Sequence, residues 1–227
     1  MRRQLLLAAA ALAALWLLAQ RCDGWTPQGG TLPTPSLKPA PTLAPDRTLP
    51  AAVPADDLVA RARDAAANAR SVHLSGTADL TAEGPVTVAL TLTSRAATGT
   101  LTVGGRGYEV IRVGSQIWTR APGGGWVSGD QVDTGNGRVS LFRLTDRGQW
   151  LATVVPSPEG ATAAPEPQQL DGRMVRLTQL RDGSRLYILD DPRRPYPVRL
   201  TGTPTHPAEL TLADWDRPVT IAPPPGR

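Results

Sequence analysis

The chain has 227 residues, room for one domain with appendages. Its single cysteine, Cys22, excludes an intrachain disulfide framework. A net charge of +4 and a pI near 10.0 would suit a nucleic-acid binder. From Asp56 onward, however, 19 Arg meet 18 Asp and Glu, so the excess is N-terminal and the domain offers no footprint for a phosphate backbone.

Arg2 and Arg3 precede an unbroken apolar run, Leu5 to Ala19. This is the charged-then-apolar pattern of an export signal, and it predicts transfer across a bacterial-type cytoplasmic membrane with the arginines left inside. A buried core helix is the weaker reading, because the run has no polar face and a proline-rich stretch follows. Three fates fit residues 1–24. Cys22, directly behind the apolar run, stands where a lipoprotein's acylated cysteine would, although Gln20 and Arg21 replace the small residues that usually precede it. An ordinary signal peptidase could cut after Gly24. The run could also stay as an anchor, but at about 1.5 Å per residue it spans only about 22 Å. That shortfall and the position of a lone cysteine favour lipidation of Cys22, and the membrane is the expected partner. Trp25 to Ala55 carries eight prolines and predicts an extended stalk rather than a fold.

The folded domain is expected over 56–223, with a short disordered tail at 224–227. Asp56 or Asp57 can cap a helix to about Arg70, since Leu58, Val59, Ala62, Ala65, Ala66 and Ala69 fall on one face. From Ser71 the period becomes two. Val72 and Leu74, then Val86, Val88, Leu90 and Leu92 alternating with threonines, then Leu101 and Val103 predict half-buried antiparallel strands. Gly114-Ser115 links Tyr108–Val113 to Gln116–Thr119, and Asp182-Gly183 lies between Arg173–Leu180 and Arg185–Leu189; both are hairpin signals. Val139 to Val155 predicts one or two short helices closed by Pro156, and 156–167 a loop. Strands around Val198–Gly202, Glu209–Ala213 and Val219–Ile221 complete the chain.

No residue grouping announces catalysis. His73 and His206 stand far apart, and His73 alternates with Val72 and Leu74 as an ordinary strand residue would. Metal sites of the zinc type need three or four ligands, which no cluster here supplies. Asp190, Asp191, Asp214 and Asp216 stand at strand ends, where turn and capping roles are usual. The glycine-rich runs at Gly104-Gly105 and Gly123–Gly125 join strands instead of opening helices, so they make no phosphate cradle. An enzyme and a cofactor are therefore not expected.

The order helix, then Ser71-Val72-His73-Leu74, then Tyr108–Gly114 with Ile117-Trp118-Thr119 and Trp126 resembles the LppX/LprG-type envelope lipoproteins. Pro197-Val198-Arg199-Leu200 and Ala213-Asp214-Trp215-Asp216 with Pro218–Pro223 resemble the closing segment of that group and, more distantly, of LolA-like carriers. The resemblance covers about Asp57 to Pro223. It implies an α+β fold, a strongly curved antiparallel sheet forming an open half-barrel whose concave face is covered by helices, and an apolar cavity that holds acyl chains. Inward candidates for such a cavity are Val88, Leu90, Leu92, Leu101, Val103, Val110, Leu177, Leu186 and Ile188, each of which also suits a plain core. The expected function is a non-catalytic carrier or holder of lipid or another apolar ligand at the envelope. The alternative is a sensor or interaction module, which an exposed patch around Trp118, Trp126 or Trp215 would favour.

Overall fold

The computed structural model describes residues 53–80, 84–134 and 137–225. Helix α1 (Ala55–Asn68) begins inside the expected stalk, at the first residue after Pro54. Asp56 and Asp57 occupy its first turn rather than capping it, where their charge complements the helix dipole. Asp56 Oδ1 instead accepts from the Ala161 amide at 3.2 Å. The alanine-lined face carries Leu58, Val59, Ala62 and Ala66 into the core, and these small side chains let the helix lie close to the sheet.

Four long strands follow, joined as a meander: β1 (Ser71–Leu80), β2 (Gly84–Thr93), β3 (Ala96–Val103) and β4 (Arg106–Val113). Val113 pairs with Gln116, so Gly114-Ser115 is the two-residue turn into β5 (Gln116–Arg120). Short pieces then appear that the sequence did not announce: β6 (Val127–Ser128), β7 (Gln131–Asp133) and β8 (Arg138–Ser140). Helices α2 (Leu141–Thr145) and α3 (Arg147–Val154) come next, then β9 (Thr162–Ala163), within the expected loop, and β10 (Gln168–Leu170). The second meander is β11 (Arg173–Gln179), β12 (Arg185–Leu189), β13 (Pro197–Thr201) and β14 (Ala208–Ala213). Val219–Ile221 is not a strand; the segment runs as irregular chain between Pro218 and Pro223.

The two meanders meet where β14 pairs antiparallel with β1. The result is one 12-stranded sheet in the order β10-β11-β12-β13-β14-β1-β2-β3-β4-β5-β6, with β9 beside β10 along β11, while β7 and β8 form a separate pair. The sheet does not close on itself. Residues directly opposite on paired strands share a face. One row therefore runs Thr178–Leu186–Leu200–Leu210–Gly76–Val88–Leu101–Tyr108 across eight strands, and it is almost wholly apolar. The opposite face carries Leu177–Tyr187–Arg199–Thr211–Ser75–Ala89–Thr100–Glu109–Arg120, mostly polar. All three helices bury residues against the apolar face, with Leu141, Leu144, Trp150 and Val154 joining the α1 residues in one core.

Two glycines on the inner face allow neighbouring strands to approach closely. A Cβ at Gly99 (φ +145) would stand 2.0 Å from the Ala89 carbonyl oxygen, and one at Gly76 (φ +130) would stand 1.9 Å from that of Glu209. Such positions bend and coil a sheet, as closing a helical layer into its concave side requires.

Candidate functional site

The site suggested by the fold is the interior between the apolar face and the helices. Eight of the nine inward candidates, Val88, Leu90, Leu92, Leu101, Val103, Val110, Leu186 and Ile188, lie in that core, and none is more than 2% exposed. A void wide enough for water beside them would raise that exposure, so side chains fill the space around them. Leu177 lies elsewhere. It pairs with Tyr187 on the outer, polar face and is half-buried, because Thr178 and Arg176 take the inward positions of β11. The short helices expected over Val139–Val155 supply part of the cover through Leu141, Leu144 and Trp150, all buried.

The cover is held at Asp146, the residue between α2 and α3. Its Oδ1 accepts from the Gln149 amide at 3.0 Å, capping α3. Trp150 Nε1 donates to the Leu144 carbonyl at 2.7 Å, tying the two helices together. Arg147 donates to the carbonyls of Ala69 and, at 3.0 Å, Ala67, satisfying acceptors left open at the end of α1. Burial lowers the Arg147 pKa from its ordinary value, with Asp146 and Asp216 opposing that shift.

Among the charged residues of the inner face, sequence reasoning missed the one that is buried. Arg112 stands in the row Val72–Leu92–Ala97–Arg112–Ile117 and is 3% exposed. Its position was readable in principle, since it lies two residues beyond Val110 and a strand's period of two gives both the same face. Its Nη1 stands 3.8 Å from Asp146 Oδ2, and the guanidinium lies 5.2 Å from the centre of the Phe142 ring. Nε and Nη2 have no hydrogen-bond partner among the described residues. Burial lowers its pKa, and Asp146 opposes the shift. Asp146 also lines a recess of about 410 Å³ that opens to solvent between Arg63, Ala67, Ser94, Arg147, Gly148, Leu151 and Ala152.

Trp118, Trp126 and Trp215 form no exposed patch. Trp118 is 5% exposed on the outer face, Trp126 lies half-buried under the Arg120 guanidinium at 4.9 Å, and Trp215 stacks on Tyr196 with ring centres 4.7 Å apart. Among the described residues, no three His, Cys, Asp or Glu side chains gather to hold a metal ion. No helix among them is long and apolar enough to cross a membrane. Leu5–Ala19, Cys22 and nearly all of the expected stalk lie outside the described residues.

No protein-family model matches the chain, and no curated protein matches it in sequence. Its fold is nevertheless found among solved structures. LprF from Mycobacterium bovis aligns over 76% of this chain and 97% of its own, with a TM-score of 0.55 and 19% identity. The Mycobacterium tuberculosis lipoprotein LppX aligns over 74% and 97%, with a TM-score of 0.50 and 16% identity. A LolA-superfamily protein from Nitrosomonas europaea aligns with a TM-score of 0.26, too low to carry weight. The chain has the LppX/LprG-type fold that the sequence resemblance implied: an open, curved antiparallel sheet with helices on its concave face.

Proposed function

We propose that this protein is a non-catalytic envelope protein, tethered through Cys22, that holds a lipid or another apolar molecule between its sheet and its helical cover. The observation that carries the reading is the largely apolar face shared by β12–β14 and β1–β4, which is far larger than α1 alone can cover. Its remaining cover is α2 and α3, five and eight residues long, joined at a single residue. Helices this short owe their stability to packing rather than to propensity, so they are the part that can lift. Ligand would then take the place of the side chains that fill the closed interior. An apolar interior with few polar groups is what binds apolar ligands.

The test is solvent extraction and mass spectrometry of the full chain purified from membranes, with titration of a fluorescent fatty acid into the delipidated protein. Co-purified lipid and saturable binding support the reading; neither together would refute it. The close packing of the closed state favours a second reading, an interaction module that carries no cargo. Recovery of one stoichiometric protein partner after cross-linking in intact envelopes, with no lipid bound, would establish that alternative.

A further inference from the structure

We propose that Arg112 receives the anionic head group, a carboxylate or a phosphate, of an amphiphilic ligand, and that Asp146 is the internal carboxylate this head group displaces. The inference rests on the holder reading above and specifies its ligand class. A guanidinium presents five donors in a rigid fork suited to carboxylate and phosphate oxygens. Here the fork is poorly used. The approach of Nη1 to Asp146 Oδ2, 3.8 Å, is beyond hydrogen-bond distance, and Nε and Nη2 are unpartnered among the described residues. Asp146 meanwhile commits Oδ1 to the cap of α3. A guanidinium with open donors inside an apolar row works against stability, so stability alone does not account for it.

A recess opens on Asp146, the residue beside Arg112. The recess beside Asp146 has Arg63 and Arg147 in its lining, two cations that would draw an anion toward the residue shielding Arg112. The joint between α2 and α3 is that same residue. Displacing its carboxylate therefore frees the cover as well as the guanidinium, and the ligand's chain follows onto the apolar face.

The experiment compares cis-parinaric acid with its methyl ester on the full chain, with inorganic phosphate as a head-group-only probe. Wild type is expected to bind the acid at least tenfold more tightly than the ester. Arg112→Met removes that preference, so that acid and ester bind alike. Asp146→Asn keeps a capping oxygen and removes the competing charge, so it raises the preference for acid over ester several-fold. A purely structural ion pair would shift acid and ester alike in both variants, or neither, and that result overturns the proposal. If Arg112→Met does not fold, the Asp146→Asn comparison decides alone. Equal binding of acid and ester by wild type sinks the role of Arg112 while leaving the holder reading intact; no binding of either sinks the holder reading itself. Phosphate binding with the same Arg112 dependence, together with acid affinity independent of chain length, would assign the site to free anions and also overturn the proposal.

Discussion

The Tyr196 hydroxyl donates to Asp216 Oδ2 at 2.5 Å, joining the approach to β13 to the segment after β14. The same carboxylate accepts from the Arg70 amide at 2.7 Å, just before β1. The Tyr196 bond and then the Arg70 bond hold the Asp216 pKa below its ordinary value. Burial first, and the bond to Asp216 second, raise that of Tyr196 above 10.0. The stability Asp216 contributes is thus present above the usual carboxylate range and lost as pH falls through its lowered value. Tyr196 contributes fully below about pH 10, and that contribution is lost as pH rises through its raised value. Tyr196→Phe should cost about 1–3 kcal/mol near neutrality and flatten both limbs of the stability profile. Denaturant melts across pH check this; an unchanged alkaline limb would contradict it.

Gly99→Ala and Gly76→Ala each drive a methyl group into a neighbouring carbonyl, at a backbone angle that L-residues avoid. Each should lower stability by at least about 2–4 kcal/mol. Gly105→Ala, where a Cβ meets nothing within 4 Å but φ is +76, should cost only about 1 kcal/mol. Thermal midpoints of the three variants give the comparison, and equal losses would contradict the close-approach argument.

Trp150→Phe deletes the bond to the Leu144 carbonyl and leaves that buried acceptor unpaired, a loss of about 1–2 kcal/mol. Because that bond ties α2 to α3, amide exchange over 141–155 should accelerate while β1–β3 stay protected. Uptake of a fluorescent fatty acid should quicken with it. Uniform exchange across the domain would mean that the cover does not open as a unit.

Cys22→Ser tests the tether. Intact mass of membrane-extracted wild type should show the added diacylglyceryl group, and the variant should lack it and lose membrane retention, since two or more acyl chains anchor stably. The same mass shift, processing and retention in the variant would remove Cys22 from the account.

The long strands were legible because β1 to β3 alternate apolar residues with mostly polar ones, threonine above all, and only one register buries that pattern. Strands β6 to β10 were not, because two or three residues carry no period and owe their pairing to the longer neighbours they meet. Leu177 lies on the expected strand but on its outer face, since β11 has apolar residues on its outer side and Thr178 on its inner one. Val219–Ile221 alternates like a strand, yet it pairs with none; Val219 and Thr220 line a recess shared with His73, Thr91 and Thr98 of the outer face. Of the candidate site, the apolar residues were readable from periodicity. Asp146 and the open donors of Arg112 were not, because they depend on how a helical insertion returns to the sheet.

Whether an apolar molecule sits beneath the α2–α3 cover is read most directly with a photoreactive fatty acid cross-linked to the full chain and mapped by peptide mass spectrometry. On the holder reading, adducts are expected on inner-face peptides spanning Val86–Leu92 and on the cover, Leu141–Val155, competed away by unlabelled fatty acid. Adducts confined to the exposed apolar residues Val127, Met174 and Val219, or adducts that unlabelled fatty acid does not compete, would contradict it.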